Sequence, residues 1–239
     1  MAGLTPNRLS MVGFIKLIWI AALFVVLTGC KAGETQPLTD EVTEPDIHEI
    51  AMKKGYLAYH HNYDNMDRGH HDFEAQTTII DPEYYKDNPL KRGEIVYFIN
   101  PDFDHDKYSN VHLEEMSISR IVALPGETIK ITAGQIYVND RKLSSFYGNA
   151  HRIGSDIPAL KKSLKEKGEI LSAEMKQNIK NMIRTMDSEQ LGPIKIPDGD
   201  VFVIGDDWFR SFDSRHFGSL PAKMIQGKVL GYQEDPSYR

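Results

Sequence analysis

Ile118-Ser119-Arg120-Ile121-Val122-Ala123-Leu124-Pro125-Gly126-Glu127 is the stretch whose reading decides the fold. Ile118, Arg120, Val122 and Leu124 alternate with Ser119, Ile121 and Ala123, the period of a β-strand. Pro125-Gly126 then breaks the run. Beyond it Ile129 and Ile131 alternate, Ala133-Gly134 turns, and Ile136 and Val138 follow, which predicts a hairpin with a short glycine-containing connection. Upstream, Arg92-Gly93 reads as a turn feeding a buried strand, Glu94-Ile95-Val96-Tyr97-Phe98-Ile99. Downstream, Ile194 and Ile196 precede the turn Pro197-Asp198-Gly199, and Val201-Phe202-Val203-Ile204 is another strand. The core expected from these runs is mostly antiparallel β.

A different period interrupts it. Ile157, Leu160 and Leu164 fit one helix face, with Ser155 or Asp156 as N-cap and Pro158 in the first turn. Met175, Ile179, Met182, Ile183 and Met186 fit a second face, with Ser172 as N-cap. A helical insertion over about 155–190 is expected. Its methionine stripe reads as packing against the β core, with a peptide-binding surface as the alternative.

The chain has 239 residues, 41% hydrophobic and 26% charged, which is ordinary globular composition and fits one domain. A net charge of −6 argues against a nucleic-acid partner. The lone Cys30 excludes an internal disulfide and a cysteine zinc site. Its context is informative. Arg8 and Lys16 precede a short apolar run, 17–28, too short for a comfortable membrane span. The run ends Leu27-Thr28-Gly29-Cys30, which resembles a bacterial lipobox. That resemblance implies a lipoprotein signal peptide over 1–29, lipid on the Cys30 thiol, and a membrane anchor on the extracytoplasmic face. Cleavage before Cys30 would leave 210 residues with a charge of −8. Residues 30–46 are polar and acidic with two prolines and read as a flexible tether. The domain is then expected over 47–239.

Three strings in order resemble the type I signal peptidases, the Ser–Lys leader peptidases of the S26 family. Arg92-Gly93-Glu94-Ile95-Val96-Tyr97-Phe98 is similar to the family's Arg-Gly-Asp-Ile-Val-Val-Phe strand. Ser119-Arg120 through Leu124-Pro125-Gly126-Glu127 is similar to its Lys-Arg-Val-Ile-Gly-Leu-Pro-Gly-Asp segment. Gly205-Asp206-Asp207 with Ser211-Phe212-Asp213-Ser214-Arg215 and Gly218 is similar to its Gly-Asp-Asn…Ser-x-Asp-Ser-Arg-x-x-Gly box. The resemblance implies a mainly β domain with an extended substrate groove. It also implies hydrolysis by a serine nucleophile and a neutral, desolvated lysine base.

Neither group stands where the resemblance puts it. The serine string Ser-Met-x-Pro is matched by Asn65-Met66-Asp67-Arg68, and no serine occurs between Cys30 and Ser109. The lysine position is Ser119, and no lysine occurs from Tyr108 to Ile129. The third box is nearly intact: the family's counterpart of Ser211 helps hold the lysine, and those of Asp213 and Arg215 shape the site. Here Asp213 and Arg215 read as an ion pair bracing the fold.

The expectation is a membrane-anchored, catalytically silent homologue binding extended segments of secreted or surface proteins by strand addition, with no cofactor. The alternative is an active signal-peptide endopeptidase with a rearranged site, using Ser117, Ser119, Thr77 or Thr78 with a histidine base. His60, His61, His70 and His71 bracket Asn65 among carboxylates. They read as solvated histidines of a polar loop, with metal ligation as the alternative, since adjacent pairs do not match an i, i+4 ligand set.

Overall fold

The computed structural model describes residue 3 and residues 35–70, 73 and 76–234. It divides into Met1–Thr35 and Gln36–Arg239, and only the second is described beyond isolated positions. Apart from Gly3, the expected signal peptide lies outside the described residues, as do Cys30 and His71.

In chain order the strands are β1 (Leu38–Thr39), β2 (Leu57–His60), β3 (Gln76–Asp81), β4 (Ile95–Ile99), β5 (Met116–Ala123), β6 (Thr128–Thr132), β7 (Gln135–Val138) and β8 (Arg141–Ser144). There follow β9 (His151–Arg152), β10 (Ser155–Asp156), β11 (Leu191–Lys195), β12 (Asp200–Ile204), β13 (Leu220–Pro221) and β14 (Ile225–Glu234). The α-helices are α1 (Tyr84–Asp87), α2 (Ile157–Lys167), α3 (Ala173–Asp187) and α4 (Ser214–Phe217). A seven-stranded sheet runs β13-β12-β5-β4-β14-β3-β2, with every neighbour antiparallel. A five-stranded sheet runs β1-β8-β7-β6-β11, antiparallel except for β1 beside β8. The fold is mainly β with a few helices, as the strand periodicities imply.

β5 is buried along its length from Ser117 to Ala123 because both of its faces are covered. Ile121 joins Val96, Phe98, Val201, Val203 and Leu220 on one side. Ile118 packs with Met66, Phe73 and Ile95, while Val122 belongs to the largest cluster with Ile129, Ile136 and Phe202. Arg120 lies between those two apolar groups on the strand, so it needs a built-in counter-ion, described below.

Two-residue connections set the register of the five-stranded sheet. Ala133 and Gly134 both have positive φ (50° and 70°), as do Asn139 and Asp140 (49° and 60°), which is the backbone of tight primed hairpins. Gly134 is also fixed by packing. A Cβ there would lie 2.6 Å from the Met186 carbonyl at the end of α3.

The helical insertion forms as two capped helices. Asp156 Oδ1 accepts from Ala159 N at 2.7 Å, and Ser172 Oγ accepts from Met175 N at 3.1 Å. Leu160 and Met186 are buried in the largest cluster, and Ile157, Ile179, Met182 and Ile183 pack against it. Most of the methionine stripe is therefore core, worth roughly 1.5–3 kcal/mol for a fully buried side chain. Met175, at the outer end, is half exposed.

The expected tether differs from the structure. From Gln36 onward it docks on the domain. Leu38 and Thr39 pair with Leu143 and Ser144, and Arg141 donates to the carbonyls of Gln36 and Pro37. Asp40 accepts from the backbone of Val42 and Thr43 and from the Tyr147 hydroxyl. Composition alone misleads here because Leu38 has an apolar site to fill and Asp40 closes a turn through its own side chain.

Candidate functional site

The site grows from the end of β2. Tyr59, His61 and Tyr63 alternate with His60 and Asn62, so His60 and Asn62 are exposed while His61 is buried. The His61 ring lies 5.8 Å from that of Tyr59, 5.7 Å from Tyr63 and 6.4 Å from Phe73. This corrects the reading of all four histidines as solvated. Burial pushes the His61 imidazolium down from its ordinary range, although the bond to Asn65 opposes this. Among the described residues no three or more metal-ligating side chains converge.

Asn65 is buried, and its amide is committed at both ends. Nδ2 donates to the Ile118 carbonyl at 2.8 Å, and Oδ1 lies 2.6 Å from His61 Nε2. With Oδ1 an acceptor only, Nε2 carries the ring proton. His61 Nδ1 is then a buried lone pair without a partner. The bond to Ile118 brings Asn65 beside the peptide leading to Ser119, within about 5 Å of its nitrogen by covalent geometry. Ser119 itself is buried opposite Val96, and its hydroxyl makes no hydrogen bond to a described residue. None of the hydroxyls of Thr77, Thr78, Ser117 or Ser119 bonds to a described histidine, and that of Thr78 is buried without a partner among the described residues.

The box after β12 supports this place from below. Ser211 Oγ lies 3.2 Å from the Asn65 carbonyl and 2.5 Å from that of Asp207, and Asp207 N donates to the Asn65 carbonyl at 2.9 Å. Gly205 lies where these segments meet. A Cβ there would overlap Ser211 and stand 2.7 Å from the Asn65 carbonyl. Asp213 is fully buried, accepts from Gly205 N at 3.0 Å, and is gripped by Arg215 through Nε and Nη2, both at 2.9 Å. Burial alone would raise its carboxyl. The Arg215 guanidinium and His216 instead hold it well below the usual carboxylate range. Asp207 goes the other way: burial pushes its carboxyl up although the amides of Ile153 and Phe209 donate to it.

Two groups escaped sequence reasoning. Arg120 makes a two-pronged bond to Asp206 at 2.8 and 2.5 Å, donates to the Gly93 carbonyl, and lies over the rings of Phe146 and Tyr147. It ties the strand carrying Ser119 to the box after β12. His61 is the other. Its signal was the period-two aromatic pattern Tyr59, His61, Tyr63.

Among the described residues, no strand pairs with one edge of β5 near this site. Glu115 and Ile121 bond towards the β4 side, through Asn100 N, Gly93 N and the Glu94 carbonyl. Residues 114, 116 and 118 face the other way. β12 covers that edge only from Arg120 onward. Before Arg120, side chains replace a strand. Glu114 N donates to the Tyr63 hydroxyl at 3.1 Å, the Tyr59 hydroxyl donates to the Met116 carbonyl at 3.0 Å, and Asn65 Nδ2 donates to the Ile118 carbonyl.

A domain of antiparallel sheets that joins an Arg-Gly strand, a Leu-Pro-Gly turn and an Asp-Ser-Arg box defines the class. The chain belongs to the family described as signal peptidase, peptidase S26, whose model matches residues 55–232. It is 27% identical over 152 residues to a signal peptidase I of Leptolyngbya laminosa, covering 64% of this chain and 57% of that one. It is 28% identical to a probable signal peptidase I-2 of Synechocystis, covering 64% and 52%. It is also 28% identical over 156 residues to signal peptidase I V of Bacillus subtilis, covering 65% and 74%. The chain thus spans little more than half the length of the first two relatives. Among solved structures, a signal peptidase I from Enterococcus faecalis matches with a TM-score of 0.37 at 20% identity, over 59% of this chain and 97% of that chain.

Proposed function

We propose that this chain is a catalytically silent relative of the signal peptidases. It is anchored through lipid on Cys30 at the extracytoplasmic face of a cell membrane and holds extended segments of secreted or surface proteins. Asn65 and Ser119 replace the family's nucleophile and base. The observation that carries the reading is the commitment of Asn65: its amide donates to the Ile118 carbonyl and accepts from His61, and it has no hydroxyl to offer as a nucleophile. Loss of both groups leaves at best about 10³–10⁴-fold over water, by analogy with Ser-His-Asp enzymes stripped of their triad. The strandless edge of β5 supports a peptide-holding role.

The test incubates the purified full-length chain with a precursor bearing a signal peptide. The precursor is expected to co-elute with the chain and to stay full length. Cleavage at the signal-peptide junction that disappears in Ser119→Ala would overturn the proposal.

A further inference from the structure

The strandless edge of β5 also carries information about what it would accept. Met116 and Ile118 present carbonyls two residues apart, the spacing of about 6.6–6.8 Å at which an extended peptide offers successive amides to one side. Tyr59 and Asn65 now satisfy these carbonyls, and Tyr63 accepts from Glu114 N two residues earlier. An incoming strand can replace each of these bonds with a backbone bond, so the exchange leaves no carbonyl of the edge unpaired.

The rim of this edge is acidic. Residues 100–115 lead from β4 into β5 and contain Asp102, Asp104, Asp106, Glu114 and Glu115 against the single Lys107, all exposed. The loop is held against the site. The rings of Phe103 and Tyr108 lie 4.8 and 5.0 Å from Phe212, the residue after Ser211. Arg210, next to Ser211, is paired with Asp64 at 2.9 Å. An acidic wall along a sheet edge attracts one sign of charge and repels the other. Resting on the peptide-holding role proposed above, we infer that this edge takes an extended peptide rich in lysine or arginine, and discriminates against acidic segments.

The experiment measures binding of three labelled peptides to the full-length chain by fluorescence anisotropy. They have equal length and apolar content and carry lysine, serine or glutamate at alternate positions. The lysine peptide is expected to bind at least about tenfold more tightly than the glutamate peptide at low salt, with the gap shrinking at 0.5 M salt (about a 4 Å screening length). The triple variant Asp102→Lys, Asp106→Lys, Glu115→Lys is expected to reverse the order. These three side chains make no hydrogen bond or ion pair with another described residue, so the fold does not depend on them. Equal affinity for all three peptides would overturn the charge preference while leaving peptide holding intact. A lysine peptide with alternate backbone amides methylated, binding as well as the unmethylated one, would overturn strand addition at β5. Failure of every peptide to bind would instead remove the peptide-holding role itself.

Discussion

Replacing Asn65 with alanine should destabilise the domain by about 4 kcal/mol, the sum of two unpaired groups, which is a large share of an ordinary domain's stability. The side chain is buried and makes two hydrogen bonds, at 2.8 Å to the Ile118 carbonyl and 2.6 Å to His61. Leaving a buried polar group unpaired costs roughly 1–3 kcal/mol each. The Ile118 carbonyl lies on the strandless edge, where water can take over, so its share falls at the low end. The His61 N–H is enclosed by Tyr59, Tyr63 and Phe73 and has no such relief. Its share falls at the high end. The assay is equilibrium urea unfolding at pH 7, followed by fluorescence of the buried Trp208 and checked by circular dichroism. A cycle with His61→Phe separates the pair: the double variant should lose about 1–2 kcal/mol less than the sum of the singles. Strict additivity, or a cost below about 0.5 kcal/mol for Asn65→Ala, would refute the view that Asn65 is a fixed structural amide.

Acid should weaken the fold in two stages. His61 and His151 are both pushed below the ordinary value of 6.5, mainly by burial. The unfolded chain therefore binds more protons below that value, and stability falls as pH drops from about 6.5 towards the folded values. Asp213 is held below 3.8 in the fold, so its contribution is intact above that pH and is lost only as pH falls through its depressed value. Urea midpoints that are flat from pH 7 to 5 would contradict the histidine stage. Met186→Ala should cost about 2–5 kcal/mol, because the side chain is fully buried where α3 meets the β core. A cost under 1 kcal/mol would mean that the insertion is a separable arm. Cys30→Ser should abolish fatty-acid incorporation in cells and move the chain out of the membrane pellet. Absence of label in the unsubstituted chain would dispose of the lipid anchor.

The parts legible in the sequence were those whose cause is local. Period two gave β5, β6 and β7. Short-range caps gave the starts of α2 and α3 at Asp156 and Ser172. The two-residue spacing of Asp213 and Arg215 made their pairing visible. What stayed hidden depends on distant partners. Arg120 and Asp206 are 86 residues apart, and nothing local says that they meet. The histidine doublet at His60 and His61 reads as polar until strand alternation separates an exposed ring from a buried one. The segment from Gln36 to Asp46 has the composition of a linker, yet β8 and Tyr147 give it a place to dock. The unpaired edge of β5 was equally out of reach, because it depends on where β12 turns away at Gly205.

The central claim, a peptidase-like fold without peptidase chemistry, is tested most directly by single-turnover cleavage of a signal-peptide precursor with the chain in excess. The unsubstituted chain and the Asn65→Ser, Ser119→Lys double variant are followed side by side by mass spectrometry. The account predicts no junction-specific product from the unsubstituted chain over hours, and measurable product from the double variant if it folds. Junction cleavage by the unsubstituted chain, at a rate the double variant does not exceed, would contradict it.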